Sequence, residues 1–119
     1  MMYLMLLLGL LTLPQDPVEW LQEQTVQIGD TFQGDPVTYA FRFRNTTDAP
    51  LIVENVRVGC GCTATEWQDA PVAPGEVGSI NVAYDATNVG FYRKYVKVYF
   101  RGHRGGHKLW LEGFVETAP

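Results

Sequence analysis

From Val37 to Arg44 the chain alternates without a break: Val37, Tyr39, Phe41 and Phe43 are apolar, and Thr38, Ala40, Arg42 and Arg44 fall between them. Successive side chains on a strand point to opposite faces, so a period of two over eight residues demands a half-buried strand and excludes an amphipathic helix. The aromatic face goes inward and the arginines face water, as in an antiparallel sheet.

Weaker copies of the pattern follow. Leu51 and Val53 share one parity, Val56 and Val58 the other, and the switch at Glu54-Asn55 is what a β-bulge produces. If that strand continues, Cys60 and Cys62 face inward as well. Thr63 to Trp67 reads as a short polar edge strand, and Ile80, Val82 and Tyr84 mark the next. The last two run from Phe91 to Arg101 and from Lys108 to Val115. Near the start, Val18 to Gln24 fits a helical turn, but Gln24 to Ile28, with Val26 and Ile28 on one face, is better read as a first strand. Gly29-Asp30, Gly34-Asp35-Pro36, Asp85 to Gly90 and Gly102 to His107 punctuate turns, and Pro74-Gly75 suits a type II turn. Asn45-Thr46-Thr47 matches a glycosylation triplet, yet a turn explains it equally and is preferred.

Six or seven strands with Gly/Pro turns and no convincing helix predict an all-β, immunoglobulin-like β-sandwich of about seven antiparallel strands. At 119 residues there is room for one such domain, placed at 16–119. Both cysteines sit in one segment, so no bridge joins the sheets and the core must rest on its aromatic and β-branched faces. Net charge is −4, which argues against nucleic acid and anionic membrane as partners.

The first fifteen residues stand apart. Tyr3 to Leu11 is an uncharged apolar run ending before Pro14, too short for a bilayer at roughly 20 residues but right for a signal peptide. No basic residue precedes it and no clean small-x-small site follows it. An uncleaved anchor or a buried strand are the alternatives. The expectation is export, to a periplasmic or extracellular location, with no membrane insertion of the mature domain.

Several motifs then fall in order: Phe41-x-Phe43-x-Asn45, Pro50-Leu51-x-Val53-x-x-Val56, and Cys60-Gly61-Cys62-Thr63. Pro71 to Gly75, Ile80-x-Val82-x-Tyr84-Asp85, Gly90-x-Tyr92-x-Lys94 and Leu109-x-Leu111-x-Gly113 continue the series. Over about residues 24 to 116 the chain resembles the bacterial domain of unknown function 1573, exported immunoglobulin-like sandwiches related to the domains of Hydin and major sperm protein. The Cys-Gly-Cys-Thr step is the most specific part, although the family often has Ser where this chain has Gly59. The resemblance implies a fold and a compartment and carries over no catalytic residue.

Cys60 and Cys62 admit three readings. They are small apolar core residues, a local disulfide, or two soft ligands for Cu or Zn. Extended residues two apart have Cα atoms roughly 6.6 Å apart, so a bridge requires the chain to tighten, which Gly59 and Gly61 permit. A structural zinc needs two more ligands, and only His103 and His107 exist. Strand counting places those at the far end of the sandwich, roughly 30 Å away, on an exposed hairpin tip. Asp35 and Asp85, in turns at the cysteine end, read as turn caps rather than a Ca²⁺ pair. No Ser/His/Asp order, phosphate loop or zinc-protease helix is present, so no enzyme activity is expected.

The final hairpin gives a second lead. Val96, Val98 and Phe100 face inward on one strand, and Leu109, Leu111 and Val115 on the other. Setting Phe100 opposite Leu109 pairs Tyr99 with Trp110, Lys97 with Glu112 and Tyr95 with Phe114 on the outer face. That stripe stiffens the hairpin, is covered by residues 18–28, or docks another protein. The function expected is a non-enzymatic exported binding or scaffold module using Tyr95, Tyr99, Trp110 and Phe114, or strand addition at an open edge. The alternative is a thiol redox or copper site at Cys60 and Cys62.

Overall fold

A computed structural model describes residues 16–119. The expected signal segment at 1–15 lies outside the described residues. Eight strands follow one another: β1 Val18–Trp20, β2 Thr25–Phe32, β3 Val37–Asn45, β4 Val53–Val58, β5 Thr63–Trp67, β6 Val77–Tyr84, β7 Gly90–Phe100 and β8 His107–Glu116. They form two four-stranded sheets, ordered β1-β3-β6-β5 and β2-β8-β7-β4.

The alternating faces meet between the sheets. Phe41, Phe43, Ile80, Val82 and Tyr84 from the first sheet, with Val96, Val98, Phe100, Leu109, Leu111 and Val115 from the second, are each at most 2% exposed. Burying such a side chain contributes about 1.5–3 kcal/mol, so this layer holds the sandwich closed without an inter-sheet disulfide. Where such a bridge would stand, Phe43 meets Phe100 across the layer, ring centroids 5.2 Å apart, and Trp20 packs edge-on to Phe43 at 5.7 Å. Gly78 leaves the space that Phe43 fills, since a Cβ there would come within 2.5 Å of its ring.

Local chemistry holds where the sequence predicts it. The register shifts between Val53 and Asn55, a bulge that returns Val56 to the core. Glu76 donates to the Ala73 carbonyl around Pro74-Gly75, with Gly75 at φ 79°, which is a type II turn. Asn45 is 1% exposed, and its amide donates to the Ala49 and Val72 carbonyls while its oxygen accepts from Thr47. Asn45 is therefore a buried lock on this turn.

Four expectations change. There are eight strands, not seven, and β2 runs parallel to β8; strands so far apart in sequence are not tied to the antiparallel sense of a hairpin. Gly29 is no turn: it sits at φ 89° as a bulge where the β2 register shifts, and the strand runs on to Phe32. Val58 keeps inward parity opposite Val96 yet is 43% exposed, because β4 is an edge strand that ends there. The fourth change is in the last hairpin, where Val96 rather than Phe100 faces Leu109. Gly102 and Gly105, at φ 81° and 80°, turn the chain early. A four-residue slide preserves parity, so the interior cannot oppose it.

Candidate functional site

The chain leaves β4 at Val58 and crosses to β5 in the other sheet through Gly59-Cys60-Gly61-Cys62. This crossover is a turn rather than extended strand, with Thr63 N–H donating to the Cys60 carbonyl. The turn brings the two Cα atoms to 5.3 Å, and the cysteines are joined as a disulfide across a sequence separation of two. Both are half-buried, not core residues. So small a loop contributes little: the loop-entropy relation gives about 1.6 kcal/mol for three residues against about 3 for fifteen. Other bonds hold the crossover, with Gly59 N–H on the Tyr95 carbonyl and Asp85 N–H on the Cys62 carbonyl. Buried Thr63 sets its Oγ1 3.5 Å from Cys60 Sγ and 3.9 Å from Cys62 Sγ. A Cβ at position 59 would stand 3.0 Å from the Tyr95 ring, so a side chain there would require the ring to move by a few tenths of an ångström.

In this state the sulfurs offer no thiolate for a metal, and no group of three His, Cys, Asp or Glu gathers suitably among the described residues. His107 is nearer than counting suggested. It opens β8 opposite Val98, while Val58 pairs with Val96, so the crossover lies roughly 13 Å along the strands, not 30. Nor is it on a hairpin tip: Trp20 Nε1 donates to its Nδ1 at 3.3 Å, and its ring packs on Phe100. Burial lowers its pKa, and His103 adds to this while Asp16 opposes it. Asp85 caps its own turn by accepting from Thr87.

The outer face of the second sheet carries the other site. Tyr95, Tyr99, Trp110 and Phe114 all lie there, but the observed register changes their partners. Tyr95 is opposite Trp110, ring centroids 5.0 Å apart, Arg93 is opposite Glu112, and Phe91 is opposite Phe114. Arg93 bonds Glu112 at 2.7 Å and lies 3.8 Å over the Trp110 ring. Lys97 and Lys108 oppose each other and relieve the repulsion by turning to rings, Lys97 over Tyr99 at 5.6 Å and Lys108 over Tyr95 at 4.9 Å. Tyr95, Tyr99 and Trp110 are half-buried under these cations. The other end of the face is bare. Phe91 is 67% exposed, Phe114 44% and Phe32 45%, and β2 places Phe32 opposite Glu116, one outward position beyond Phe114. Sequence reading missed Phe91 and Phe32 because neither stood in the assumed hairpin pairing. The strand addition mode has its own setting: β5 is an edge strand of the first sheet, beside a cleft of about 690 Å³ lined by Trp67, Val72 and Phe43.

Fold and crossover define an immunoglobulin-like β-sandwich with a Cys-Gly-Cys turn between its sheets. The chain belongs to the family described as a protein of unknown function (DUF1573), whose model matches residues 19–115. No curated protein matches its sequence. Among solved structures it is similar to the ASH / PapD-like domain of human CEP192, with TM-score 0.69 and 10% identity over 90% of this chain and 92% of that one. It is similar to a protein of unknown function from Porphyromonas gingivalis W83, with TM-score 0.68 and 14% identity over 82% of this chain and 46% of that one. The YadV chaperone gives TM-score 0.56 and 12% identity over 87% and 53%. The chain thus spans just under half of the Porphyromonas protein and about half of YadV. These likenesses describe the fold. No helix among the described residues is long and apolar enough to cross a membrane.

Proposed function

We propose that this chain is a non-enzymatic, exported binding module that docks another protein on the outer face of its final hairpin. The observation that carries the reading is the bare phenylalanine cluster, Phe91, Phe114 and Phe32, gathered on one sheet face while the neighbouring Tyr95 and Trp110 are already capped by cations. An exposed apolar patch with a polar rim is what a protein partner covers. Asp30, opposite Phe114, and Glu116, opposite Phe32, make the rim acidic, so the partner offers apolar side chains framed by basic ones. Two features support export: the apolar run at residues 3–11, and a disulfide, a bond that persists in oxidising compartments. The similarity to the YadV chaperone and the PapD-like domain is in keeping with a binding role.

The test replaces the bare rings. A Phe91→Ser/Phe114→Ser double variant should keep its unfolding free energy within about 1 kcal/mol, because exposed positions contribute little. Its affinity for the partner identified with the unaltered protein should fall at least about tenfold, as central aromatic residues dominate interfaces. Undiminished binding by the double variant removes the hairpin face as the docking site.

A further inference from the structure

Lys94 carries the wrong side chain for its place in β7. Tyr92, Val96, Val98 and Phe100 share its parity and are each at most 4% exposed. Lys94 stands between Tyr92 and Val96 on this inward face, half-buried, with its ammonium 5.9 Å over the Tyr84 ring. No carboxylate lies within ion-pair reach of it among the described residues. Its ammonium therefore has an aromatic ring as neighbour and no opposite charge. Lys94 borders a recess of about 130 Å³ whose other walls are Gly59, Cys60, Thr63, Arg93 and Tyr95. Arg93 is held by Glu112 and Trp110, which leaves Lys94 as the uncommitted cation of the recess. The counter-charge it lacks is one the crossover supplies only in another redox state, a cysteine thiolate.

We propose that Cys60–Cys62 is a thiol–disulfide exchange site for small anionic thiols, which enter the recess beside Lys94 and attack Cys60. This goes beyond the binding role and does not depend on it. The recess has about the volume of four liquid waters, enough for a thiol of two or three carbons with an acidic group. The thiolate of the incoming molecule attacks Cys60 Sγ, the Cys60–Cys62 bond breaks, and its electron pair leaves on Cys62 Sγ. The Thr63 hydroxyl, beside both sulfurs, donates to the departing thiolate, and Lys94 draws the anionic thiol to Cys60 in the recess. A second thiolate then attacks the small-molecule sulfur of the mixed disulfide, forming the small disulfide and releasing Cys60 as thiolate. Two electrons pass from two thiols to the cysteine pair, and both cysteines take up protons from solvent. Asp85, whose N–H bonds the Cys62 carbonyl, is the acidic group that opposes this charge. The crossover keeps its shape throughout, because its backbone bonds to Tyr95 and Asp85 do not involve sulfur.

The experiment compares reduction by 2-mercaptoethanesulfonate, an anionic thiol, with reduction by cysteamine, a cationic one, at equal thiolate concentration. Thiols are counted by mass after alkylation. The native protein should react about tenfold faster with the anionic thiol, as one nearby charge allows, and Lys94→Gln should lose most of that preference at an unchanged melting temperature. In a second arm, Cys62→Ser should form the mixed disulfide with the symmetrical disulfide of 2-mercaptoethanesulfonate, releasing one equivalent of that thiol, faster than Cys60→Ser does. Equal rates for the two thiols in the native protein overturn the proposal. So does a preference that survives Lys94→Gln, or reduction that occurs only in denaturant.

Discussion

The two faces of β7 and β8 are built to different standards. Inward, Val96, Val98, Phe100, Leu109, Leu111 and Val115 are each at most 1% exposed. Outward, the same strands hold Tyr95 and Trp110 under cations and leave Phe91 and Phe114 in water. Sliding one strand by four residues would leave the inner set in place and replace every outer pair, since only parity decides which residues face the core. The inner face is therefore fixed by many residues at once. The outer face depends on the turn at Gly102 and Gly105, and it is where this protein has freedom to carry a partner surface.

The largest effect that tests this contrast belongs to the interior. Phe43→Ala should cost about 3–5 kcal/mol in urea unfolding, because its ring joins Trp20 and Phe100 across the two sheets. A loss below about 1 kcal/mol would mean that these rings do not carry the inter-sheet contact.

An intermediate effect is expected at Gly113, on the inner parity of β8. A Cβ there would lie 2.5 Å from Tyr92 Oη and 2.7 Å from the Gly29 carbonyl oxygen, and the latter cannot swing aside. Gly113→Ala should destabilise by about 1–3 kcal/mol. An unchanged transition would show that the β2 edge yields there, and that the inner face is less fixed than its burial implies.

The smallest effect is expected at His107, a polar group on the inner parity. Burial holds its pKa below the usual value. Trp20 Nε1 can only donate, so Nδ1 must accept and the ring must be neutral there. With the folded pKa below the unfolded one, the unfolded chain binds more protons as pH falls through about 6.5. Stability is full above that pH, declines below it, and levels off once the folded ring is protonated too. The melting temperature should fall modestly between pH 7.5 and 5.5, and His107→Gln should flatten the slope. A slope that survives the substitution assigns the proton to another group.

Much of the fold was legible residue by residue. The bulge at Glu54-Asn55, the type II turn at Pro74-Gly75, the edge strand at Thr63 and the lock at Asn45 each follow from a few adjacent side chains. The sites were less so. Tyr95, Tyr99, Trp110 and Phe114 were placed on the correct face with the wrong neighbours, because faces need parity alone and neighbours need the register. Extending a strand past Val58 would turn Cys60 and Cys62 inward, but β4 stops at Val58, and of their three readings the local disulfide is the one the structure holds.

What the sequence settled by itself is which side chains are driven out of water, since that depends on alternation between adjacent residues and on turn chemistry within four or five positions. Tertiary structure alone decided which distant groups touch. It set β2 parallel to β8, brought Trp20 to His107 across 87 positions, and placed Lys94 beside the cysteine crossover. The physical reason is that such contacts arise from how whole sheets stack and slide, and a local pattern is indifferent to any slide that keeps its apolar face inside.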